Sequence, residues 1–371
     1  MPKVLITGLE ARGFINKFFG HTISELKLNG WTVDVASTGD EVVKNCDKHF
    51  EIKWRRNPLS LKTILSIKSL KNIIDQGNYD VIHCNTPVGG YVTRLAARKA
   101  RKNGTKVIYC AHGFHFYRGA KLKNWIYYPI EKFLARFTDV LLTINQEDYK
   151  LATSKKFPAR RIELINGVGV DIDTFVDNLT HDAKAKILND IGIKQESVVL
   201  SYVADINKNK NQIYLVQVLA KLRESIDAQL LLIGPEKYKK PRMVATKLGV
   251  IDNVHFLGWR SDIVDLLSIS TYVVPSSIRE GLPTNLIEAM AMGRCVVATS
   301  NRGHREIISN GENGLLVSLD KPSEMAEKIL YLHNNSKERE KIIKNAKTTI
   351  HKYEFEPVFK HLLSIYTSLV K

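Results

Sequence analysis

The chain has 371 residues, of which 44% are hydrophobic, and it carries a formal charge of +17 at pH 7. This length exceeds the size at which a single core usually divides, so we expect two domains, and the average charged fraction excludes a disordered or fibrous chain. Positions 1–180 hold 28 basic against 17 acidic residues, which indicates an anionic partner, although a generally Lys-rich surface would give the same balance.

The cysteines and the apolar runs indicate the cellular compartment in which we expect the protein. The four cysteines lie far apart without a CxxC pair, so a zinc site or a disulfide framework is not expected and a reducing cytoplasm fits best. Met-Pro-Lys leads directly into a strand-like run, so we expect no signal peptide. No apolar run reaches the roughly 18 residues of a membrane span, which favours a soluble or surface-bound protein.

The first half of the chain alternates short β-branched runs with segments of helical spacing. Strands are predicted at 3–8, 32–37, 79–84, 106–111 and 139–144, and helices at 15–29, 60–75, 91–103 and 124–137. Because strands that alternate with helices form parallel sheets covered on both faces, this half predicts a doubly wound sheet.

The second half repeats the pattern after a connector at 163–178, and the tail at 337–370 is predicted to be helical. Its strands are predicted at 197–204, 228–234, 253–258, 271–276, 295–299 and 314–318, and its helices near 211–224, 240–248, 283–292 and 323–332. The fold class is therefore α/β, with two doubly wound domains in tandem and a cleft between them. Ligands of such sheets bind at the carboxyl ends of strands.

Two common nucleotide-binding motifs do not occur in the sequence. Gly8 and Gly13 after the first strand do not fit GxGxxG, so a dehydrogenase is not expected. There is no GxxxxGK[ST] either, which excludes the P-loop class.

The stretch REGLPTNLIEAMAMGRCVVAT, residues 279–299, places two carboxylates on either side of a helix start predicted near Thr284. Backbone N–H groups at a helix start suit a phosphate, and Gly281 lets a ligand approach the backbone closely. Glu280 would accept hydrogen bonds from sugar hydroxyls, and Glu288 would bind a ribose diol. A nucleotide-sugar presents these groups in this order, although a helix with an acidic first turn would show the same pattern without a ligand.

Polar side chains also follow three other predicted strands. In chain order they are His112 and His115, then Lys208 and Lys210, then Gly303, His304, Arg305 and Glu306. The ammonium groups would neutralise a diphosphate, unless they are ordinary solvated lysines. The histidines would supply a titratable group, unless they are incidental loop residues. Four such sets at strand ends in two tandem sheets indicate a ligand site.

Together these segments resemble the family 4 glycosyltransferases of GT-B fold, over almost the whole chain. The strongest element is the Glu280-(x7)-Glu288 pair within SSIREGLPTNLIEAMAMGRCVVAT, followed by GHRE and NGLLV. AHGFHFYRGA and NKNKNQ further resemble the bacterial branch that builds exopolysaccharide, capsule and related surface glycans. The resemblance implies two Rossmann-like domains, 1–178 for the acceptor and 179–354 for the nucleotide-sugar, with a C-terminal helix at about 355–371 packing back on the first.

The resemblance also implies roles for individual residues. Glu280 would bind the donor sugar and Glu288 the ribose, Lys210 would contact the diphosphate with Lys208 beside it, and His112 would lie beside the transferred sugar. Glu280, Lys210 and His112 are thus the expected catalytic residues. The loop GWRSD at 258–262, with Arg260, would hold the base. The backbone that lines the sugar and the phosphates would be that of Gly281, Leu282, Pro283, Thr284 and Asn285.

The chain departs from the family pattern in three loops, one of which is GPEKY after the strand predicted at 228–234, with one glycine where two are common. The family usually has Gly-Arg or Gly-Glu where this chain has Ala204 and Asp205, so Lys210 would carry the diphosphate charge without an arginine. The Gly-rich turn near the N-terminus is replaced by GLEARGFINKF. Asp171 and Asp173 resemble the metal-binding DxD of other glycosyltransferases, but they fall in the connector, where turn carboxylates are expected.

The reaction that the resemblance implies is transfer of a hexose or N-acetylhexosamine from a UDP-sugar to a glycan hydroxyl, with retention and without a metal or other cofactor. We expect a polyprenyl-diphosphate-linked or oligosaccharide acceptor on the first domain. The basic, apolar stretches 53–73 and 121–137 suit anionic lipid at the inner face of the cell membrane, unless they are ordinary helices packed on the sheet. The residues singled out there are Lys121, Lys123, Trp125 and Tyr128.

Two other functions fit parts of the sequence. A UDP-sugar 2-epimerase shares the architecture but lacks the Glu pair and the motif around it. A nucleic-acid-binding protein would explain the charge, but the basic residues are dispersed among helices rather than clustered with stacking aromatics on strands, so no nucleic-acid partner is expected. Release of UDP that depends on the acceptor separates the three functions.

Overall fold

The structure is a computed structural model, and it describes residues 1–39, 41–55, 57–58, 60–117 and 119–370, with only the backbone of Arg12. The described chain forms two compact units. The first contains Met1–Gly169 and Glu356–Lys371, and the second contains Val170–Phe355. Parts of three predicted segments lie outside the described residues, namely Arg56 and Leu59 of the basic stretch, Arg118 after the histidines, and Lys371 of the last helix.

Parallel strands form the sheet of the first unit. They are β1 (Lys3–Glu10), β2 (Thr32–Thr38), β3 (Lys48–Glu51), β4 (Val81–Asn85), β5 (Lys106–Ala111), β6 (Val140–Thr143) and β7 (Arg161–Leu164). Across the sheet, the described strands lie in the order β3-β2-β1-β4-β5-β6-β7. The central pair is in register from Val4 with Val81 to Thr7 with Cys84. The central strands β4, β5 and β6 are buried along almost their whole length because both faces of the sheet are covered, whereas the edge strands β3 and β7 carry polar side chains.

Helices connect these strands and cover the sheet. They are α1 (Gly20–Leu28), α2 (Leu61–Gly77), α3 (Pro87–Ala96), α4 (Arg98–Lys102), α5 (Tyr127–Ala135) and α6 (Gln146–Ser154), with a π-helical turn at Ala11–Asn16 and a 3-10 helix at Leu122–Ile126. Side chains of α2, α3, α5 and α6 bury a common core with β1, β4 and β5. This core fixes the position of the loops at the carboxyl ends of the strands.

The second unit also has a parallel sheet. Its strands are β8 (Val198–Val203), β9 (Ala228–Ile233), β10 (Val254–Gly258), β11 (Tyr272–Val273), β12 (Cys295–Thr299) and β13 (Leu315–Val317). The order of the described strands is β10-β9-β8-β11-β12-β13. A large apolar cluster on one face contains Leu200, Leu230 and Val297, and a second cluster contains Val273, Val296 and Met290.

The helices of the second half complete the fold. They are α7 (His181–Asp190), α8 (Gln212–Leu222), α9 (Lys240–Lys247), α10 (Ile263–Ser268), α11 (Thr284–Ala291), α12 (Arg302–Ile307), α13 (Pro322–Asn334), α14 (Ser336–Thr349) and α15 (Phe355–Val370), with 3-10 turns at Ile172–Thr174, Ile251–Asn253 and Ile350–Tyr353. Helix α15 packs on the first unit, where the Tyr366 hydroxyl lies 2.7 Å from Nδ1 of His83 in β4.

Each sheet has a point where the strand order reverses. In the first sheet it lies between β1 and β4, and in the second between β8 and β11. Loops that leave neighbouring strands in opposite directions open a crevice at such a point, which is where doubly wound sheets bind ligands. The loops after β4 and after β8 and β11 are therefore the places to look for function.

The structure confirms the α/β class and two doubly wound sheets. The predicted strands are present, with ends that differ by a few residues. The sequence missed β3, β7 and the helices α6, α7, α10 and α12. The predicted connector at 163–178 was wrong at its start, since residues 163 and 164 belong to β7.

Candidate active site

The polar residues at the reversal point of the second sheet meet as an ion pair. Lys210 lies in the loop after β8 and Glu280 in the loop after β11, and the Lys210 Nζ is 2.6 Å from the Glu280 Oε1. Both side chains are largely buried, with 22% and 16% of their surface exposed. The structure thus brings together two residues that lie 70 positions apart in the sequence.

Hydrogen bonds fix the Lys210 loop to the Glu280 loop. Asn207 Oδ1 accepts from the backbone N–H groups of Asn209 at 2.9 Å and Lys210 at 3.0 Å, as in an Asx turn. Ser276 Oγ donates to the Lys210 carbonyl oxygen at 2.7 Å, and Asn209 Nδ2 donates to the Arg279 carbonyl oxygen at 3.0 Å. The cation and the carboxylate are therefore held on one rigid support.

Lys210 keeps its charge in this environment. Burial by itself would lower the pKa of Lys210, but the neighbouring Tyr202 and Glu280 outweigh burial and raise the pKa to about 12. Burial also raises the pKa of Tyr202 to about 12, so its hydroxyl stays protonated beside Ser277 Oγ, 2.5 Å away. A positive charge is consequently present at this site throughout the physiological pH range.

A glycine of α12 sets the position of Glu280. A Cβ atom on Gly303 would lie 2.6 Å from the Glu280 Cβ, closer than real Cβ atoms approach, and 3.0 Å from the Gly281 carbonyl oxygen. The neighbouring Arg302 is buried, and its Nε donates to the Glu280 carbonyl oxygen at 3.4 Å. Helix α12 therefore packs directly against the backbone that carries the carboxylate, and only glycine permits this contact.

Helix α11 begins beside this pair. No side chain caps its first turn among the described residues, so backbone N–H groups at Thr284 and Asn285 are directed outward, with the positive end of the helix dipole. Asn285 Nδ2 donates to the Val203 carbonyl oxygen at 2.8 Å, which ties the helix start to the end of β8. Pro283 is buried, whereas Gly281, Leu282 and the carboxylate residue Glu288 are half-buried.

Two of the residues predicted to bind the nucleotide-sugar donor contact other side chains instead. Lys208 is exposed, and its Nζ lies 5.7 Å from the centre of the Tyr238 ring. Arg260 is exposed and forms a two-pronged ion pair with Asp262, two residues further along the same loop. Neither side chain joins the Lys210–Glu280 pair.

The departure at Asp205 has a local explanation. The Asp205 carboxylate pairs with Lys237 Nζ at 2.5 Å, across the loops after β8 and β9. A Cβ atom on Gly234, whose φ is +149°, would lie 2.3 Å from the Ala204 carbonyl oxygen, so these two loops touch at the backbone. Asp205, at a position where the family pattern has arginine or glutamate, thus brings a second lysine to the edge of the same loop.

His112, in the first unit, is held as a neutral hydrogen-bonding group. Its Nε2 lies 2.8 Å from Asn85 Oδ1, and Asn85 Nδ2 donates to the Thr7 carbonyl oxygen at 3.3 Å, so the proton belongs on Nε2. The ring packs edge-on against Phe14 and Phe19. Burial lowers the pKa of His112 to about 4. The sequence predicts a titratable group here, but with this pKa the histidine does not titrate near neutral pH.

The predicted acceptor residues divide into two kinds. Trp125 and Tyr128 are half-buried, and their rings pack against Phe116, so they serve mainly as core residues. Lys121 and Lys123 are exposed. Large apolar side chains of the same segment face outward instead, and they are Leu122 (89% exposed), Ile126 (65%), Tyr127 (40%), Ile130 (43%) and Phe133 (48%). We call these five residues the apolar face.

Neither a membrane span nor a metal cluster is found in the described part of the chain. No helix within it is long and apolar enough to cross a bilayer. No group of three or more His, Cys, Asp or Glu residues in the described segments is arranged to hold a metal ion. Asp171 and Asp173 are exposed at a 3-10 turn of the connector, where the sequence predicts turn carboxylates.

The sequence did not reveal several residues of this site. Tyr202 lies in the apolar run of β8, so the sequence predicts an ordinary core aromatic there. Ser277 follows a predicted strand without any other signal. Asn85 follows a predicted strand, and its position there is the one signal that would have placed it in the site. The contact of Gly303 with Glu280 depends on tertiary structure alone.

Two family models match the chain. Residues 3–145 match the model described as glycosyl transferase 4-like. Residues 183–349 match the model described as glycosyl transferases group 1. The matches cover the two units separately, and the second includes Lys210, Glu280 and Gly303.

Individual proteins are similar over most of their length. EpsD of Bacillus subtilis (strain 168), which carries a provisional assignment as a glycosyltransferase, is 39% identical over 92% of this chain and 90% of its own. An Escherichia coli α-1,3-galactosyltransferase, named for UDP-Gal and α-D-GlcNAc-diphosphoundecaprenol, is 27% identical over 71% of this chain and 69% of its own. The crystal structure of Anabaena HepE with UDP and glucose superimposes with a TM-score of 0.83 at 20% identity, over 99% of this chain and 100% of HepE. The chain therefore belongs to the family 4 glycosyltransferases and has their GT-B fold.

Proposed function

We propose that this glycosyltransferase moves a hexose or N-acetylhexosamine from a UDP-sugar, with retention, to a polyprenyl-diphosphate-linked glycan. The observation that carries the proposal is the Lys210–Glu280 pair beside the uncapped start of α11, at the reversal point of the second sheet. A diphosphate needs fixed positive charge, and a sugar ring needs a hydrogen-bond acceptor close to it. This site offers both within one pair.

In this proposal, the leaving group is stabilised by the protein alone. Lys210 and the N–H groups at the start of α11 neutralise the charge that develops on the UDP phosphate as the bond to the sugar breaks. The new bond forms from the acceptor hydroxyl on the same face of the sugar, and the departing phosphate oxygen takes the acceptor proton. The second lysine at the edge of the loop, Lys237, would provide part of the charge that an arginine would supply in family members that carry one at this position.

The carboxylates position the two ends of the donor. Glu280 would accept hydrogen bonds from hydroxyls of the transferred sugar, and Glu288 would bind the ribose diol. Hydrogen bonds from sugar hydroxyls to a carboxylate are charge-assisted and about twice as strong as neutral ones. Such bonds would therefore hold the sugar ring in one orientation. His112, which is neutral, would contact the sugar as a hydrogen-bonding group rather than as an acid or base.

The comparisons support the identity of donor and acceptor. The E. coli relative is named for UDP-Gal and for a diphosphoundecaprenol acceptor, and HepE was crystallised with UDP and glucose. The apolar face on the Leu122–Ile126 turn and on α5 supports a peripheral contact with the membrane that would hold such an acceptor. Exposed Lys121 and Lys123 next to it suit an anionic lipid surface.

The direct test is a transfer assay with α-D-GlcNAc-diphosphoundecaprenol and a panel of UDP- and GDP-sugars. We expect acceptor-dependent UDP release from one or two UDP-sugars, an unchanged rate in EDTA, and a product whose anomeric configuration by NMR equals that of the donor. Loss of activity in EDTA that added metal restores would contradict the metal-independent step. An inverted product would contradict retention, and a GDP-sugar as the sole donor would contradict UDP.

A further inference from the structure

Residues 276–280, which follow β11 and which we call the Glu280 segment, are anchored through Ser277. Ser277 is fully buried. Its carbonyl oxygen accepts from Asn301 Nδ2 at 2.8 Å and from Thr299 Oγ1 at 3.1 Å. Thr299 is the last residue of β12, and Asn301 directly precedes α12. The backbone of the Glu280 segment is therefore tied to the neighbouring strand and helix.

The side chain of Ser277 has a further attachment, to Tyr202 of β8. The Tyr202 hydroxyl and Ser277 Oγ are 2.5 Å apart, at the short end of the range for hydrogen bonds between hydroxyls. The Tyr202 ring is buried in the same apolar cluster as Leu200 and Leu230. Strands β8 and β11 are neighbours at the reversal point, so this hydrogen bond ties the Glu280 segment to the other side of that point.

The Tyr202 hydroxyl lies within the electrostatic influence of the ion pair. Burial raises the pKa of Tyr202 to about 12, the Lys210 charge acts against this increase, and the Glu280 charge adds to it. The hydroxyl is consequently neutral at physiological pH. It fixes the Glu280 segment without adding a charge to the site.

The loop that carries Lys210 has supports of its own. Asn207 Oδ1 accepts from the Lys210 backbone N–H at 3.0 Å, and the Asn207 backbone N–H donates to Gln212 Oε1 at 3.3 Å. Gln212 is buried at the start of α8. The Lys210 loop is thus anchored to α8 and keeps its place without the Tyr202 hydroxyl.

We propose that Tyr202 is a positioning residue for sugar transfer, which holds Glu280 in place through Ser277 when the donor separates Glu280 from Lys210. In this structure the ion pair itself fixes the Glu280 carboxylate, at 2.6 Å from Lys210 Nζ. A nucleotide-sugar that draws Lys210 to its diphosphate removes that restraint. The Tyr202–Ser277 hydrogen bond involves neither charge, so it remains.

This inference rests on the proposed function, since it takes Glu280 to hold the transferred sugar. It adds to that function a residue that touches no substrate. Because Tyr202 acts on Glu280 and not on Lys210, it affects the sugar end of the donor and leaves the diphosphate end unchanged.

Two variants separate positioning from a purely structural role. Tyr202→Phe leaves the buried Ser277 hydroxyl without a partner, which lowers stability, whereas Tyr202→Phe/Ser277→Ala removes both hydroxyls and restores most of the stability. If Tyr202 positions Glu280, the activity stays low in the double variant, because the hydrogen bond from β8 is still absent. A purely structural role would let the activity recover together with the stability.

The test measures urea midpoints, the affinities for UDP and the active UDP-sugar, and kcat with α-D-GlcNAc-diphosphoundecaprenol. We expect kcat to fall at least about tenfold in both variants, since a displacement of about 1 Å can slow an enzyme about 100-fold. The affinity for UDP should be unchanged, and the extra affinity of the UDP-sugar over UDP should fall. Equal losses of affinity for UDP and the UDP-sugar would overturn the proposal.

Tyr214→Phe is the matched control, because it removes another buried tyrosine hydroxyl of the second unit. The Tyr214 hydroxyl lies 2.9 Å from the Ser318 carbonyl oxygen and 3.0 Å from the Lys321 carbonyl oxygen, between β13 and α13. We expect a lower urea midpoint with unchanged kcat. A kcat as low as that of Tyr202→Phe would mean that the loss of any buried hydroxyl slows the enzyme, and the proposal would be wrong.

The same measurements distinguish this inference from the function on which it depends. If wild type transfers sugar and Tyr202→Phe/Ser277→Ala regains the wild-type kcat with its urea midpoint, Tyr202 is structural and the function stands. If wild type releases no UDP on addition of acceptor and UDP gives no thermal shift, the proposed function itself fails. Should Tyr202→Phe not fold, the double variant provides the test by itself.

Discussion

At the scale of single residues, the main finding is that Lys210 and Glu280 neutralise each other. Each of these largely buried charges would otherwise lack a partner, which is costly in a protein interior. A nucleotide-sugar that takes Lys210 for its diphosphate and Glu280 for its hydroxyls must therefore replace this pair with contacts of its own. In the proposed function, UDP alone would replace only the lysine side of the pair and would leave Glu280 without its cation.

This competition predicts opposite effects for two substitutions. Lys210→Met should weaken UDP binding by about 10- to 100-fold, the usual effect of losing a hydrogen bond between charged groups. Glu280→Gln should leave UDP binding unchanged or tighter, because Lys210 is released, while the extra affinity of the UDP-sugar over UDP is lost. Isothermal titration with UDP and with the active UDP-sugar measures both effects.

The matched control is Glu312→Gln, an exposed glutamate of the same unit that should leave both affinities unchanged. If Glu280→Gln weakens UDP as strongly as it weakens the UDP-sugar, Glu280 does not act on the sugar.

At the scale of secondary-structure elements, the packing of α12 against the Glu280 loop is the least replaceable contact of the site. Gly303→Ala introduces a Cβ atom 2.6 Å from the Glu280 Cβ, so the loop or the helix must move. Forcing an extra carbon into a packed contact costs about 1–3 kcal/mol. We expect urea unfolding to show this loss, and the preference for UDP-sugar over UDP to fall as Glu280 is displaced.

Gly20→Ala is the control for this substitution. Gly20 lies at the start of α1, and a Cβ atom there meets no atom within 4 Å, so alanine should stabilise the helix by about 0.5–1 kcal/mol. If Gly303→Ala left the free energy of unfolding and the preference for UDP-sugar over UDP unchanged, α12 would have no part in placing Glu280.

The sequence predicted the central elements of both sheets and missed those at their edges. Strands such as β1 and β5 were evident because they are apolar and bounded by turn residues. Strand β3, with the sequence KHFE, and strand β7, with RIEL, lie at the two edges of the first sheet, where polar side chains hide the strand pattern. Helices α10 and α12 have six residues each, too few for a helical period to stand out.

The same limit applies to the site. Lys210 and Glu280 could be predicted as site residues, because the sequence shows that both follow strands. Their pairing and the neutral state of His112 could not be predicted, since each depends on side chains from distant segments. His112 owes its lowered pKa to burial, and the side chains packed on its ring include Phe14 and Phe19, far away in sequence.

At the scale of the whole molecule, each of the two units has its own sheet and its own core. Each sheet also has one point where the strand order reverses, with polar side chains at the strand ends there. The second unit has the charged Lys210–Glu280 pair at that point. In the first unit, Asn85 at the end of β4 is hydrogen-bonded to the neutral His112. The charged pair suits the diphosphate of the proposed nucleotide donor.

Buried histidines in both units make stability depend on pH. Burial lowers the pKa of His83 to about 3, and those of His112 and His304 to about 4, whereas an unfolded chain binds these protons near pH 6.5. The native state thus binds fewer protons, so stability is complete above about pH 6.5 and falls as the pH drops toward 4. Each histidine contributes up to about 1.4 kcal/mol per pH unit.

Urea unfolding at pH 7.5 and pH 5.0 measures this effect. We expect a lower midpoint at pH 5.0 for both units, and a smaller difference for the second unit in His304→Gln. Equal midpoints at the two pH values would mean that these histidines are protonated in the native state.

The central claim is that the nucleotide-sugar binds where Lys210 and Glu280 meet. A crystal structure of the protein with its active UDP-sugar tests this claim most directly. In that structure, Lys210 Nζ should lie within hydrogen-bond distance of the diphosphate, a sugar hydroxyl should lie on the Glu280 carboxylate, and the 2.6 Å contact between the two side chains should be broken or lengthened. A UDP-sugar bound elsewhere, with that contact intact, would mean that the pair is not the donor site.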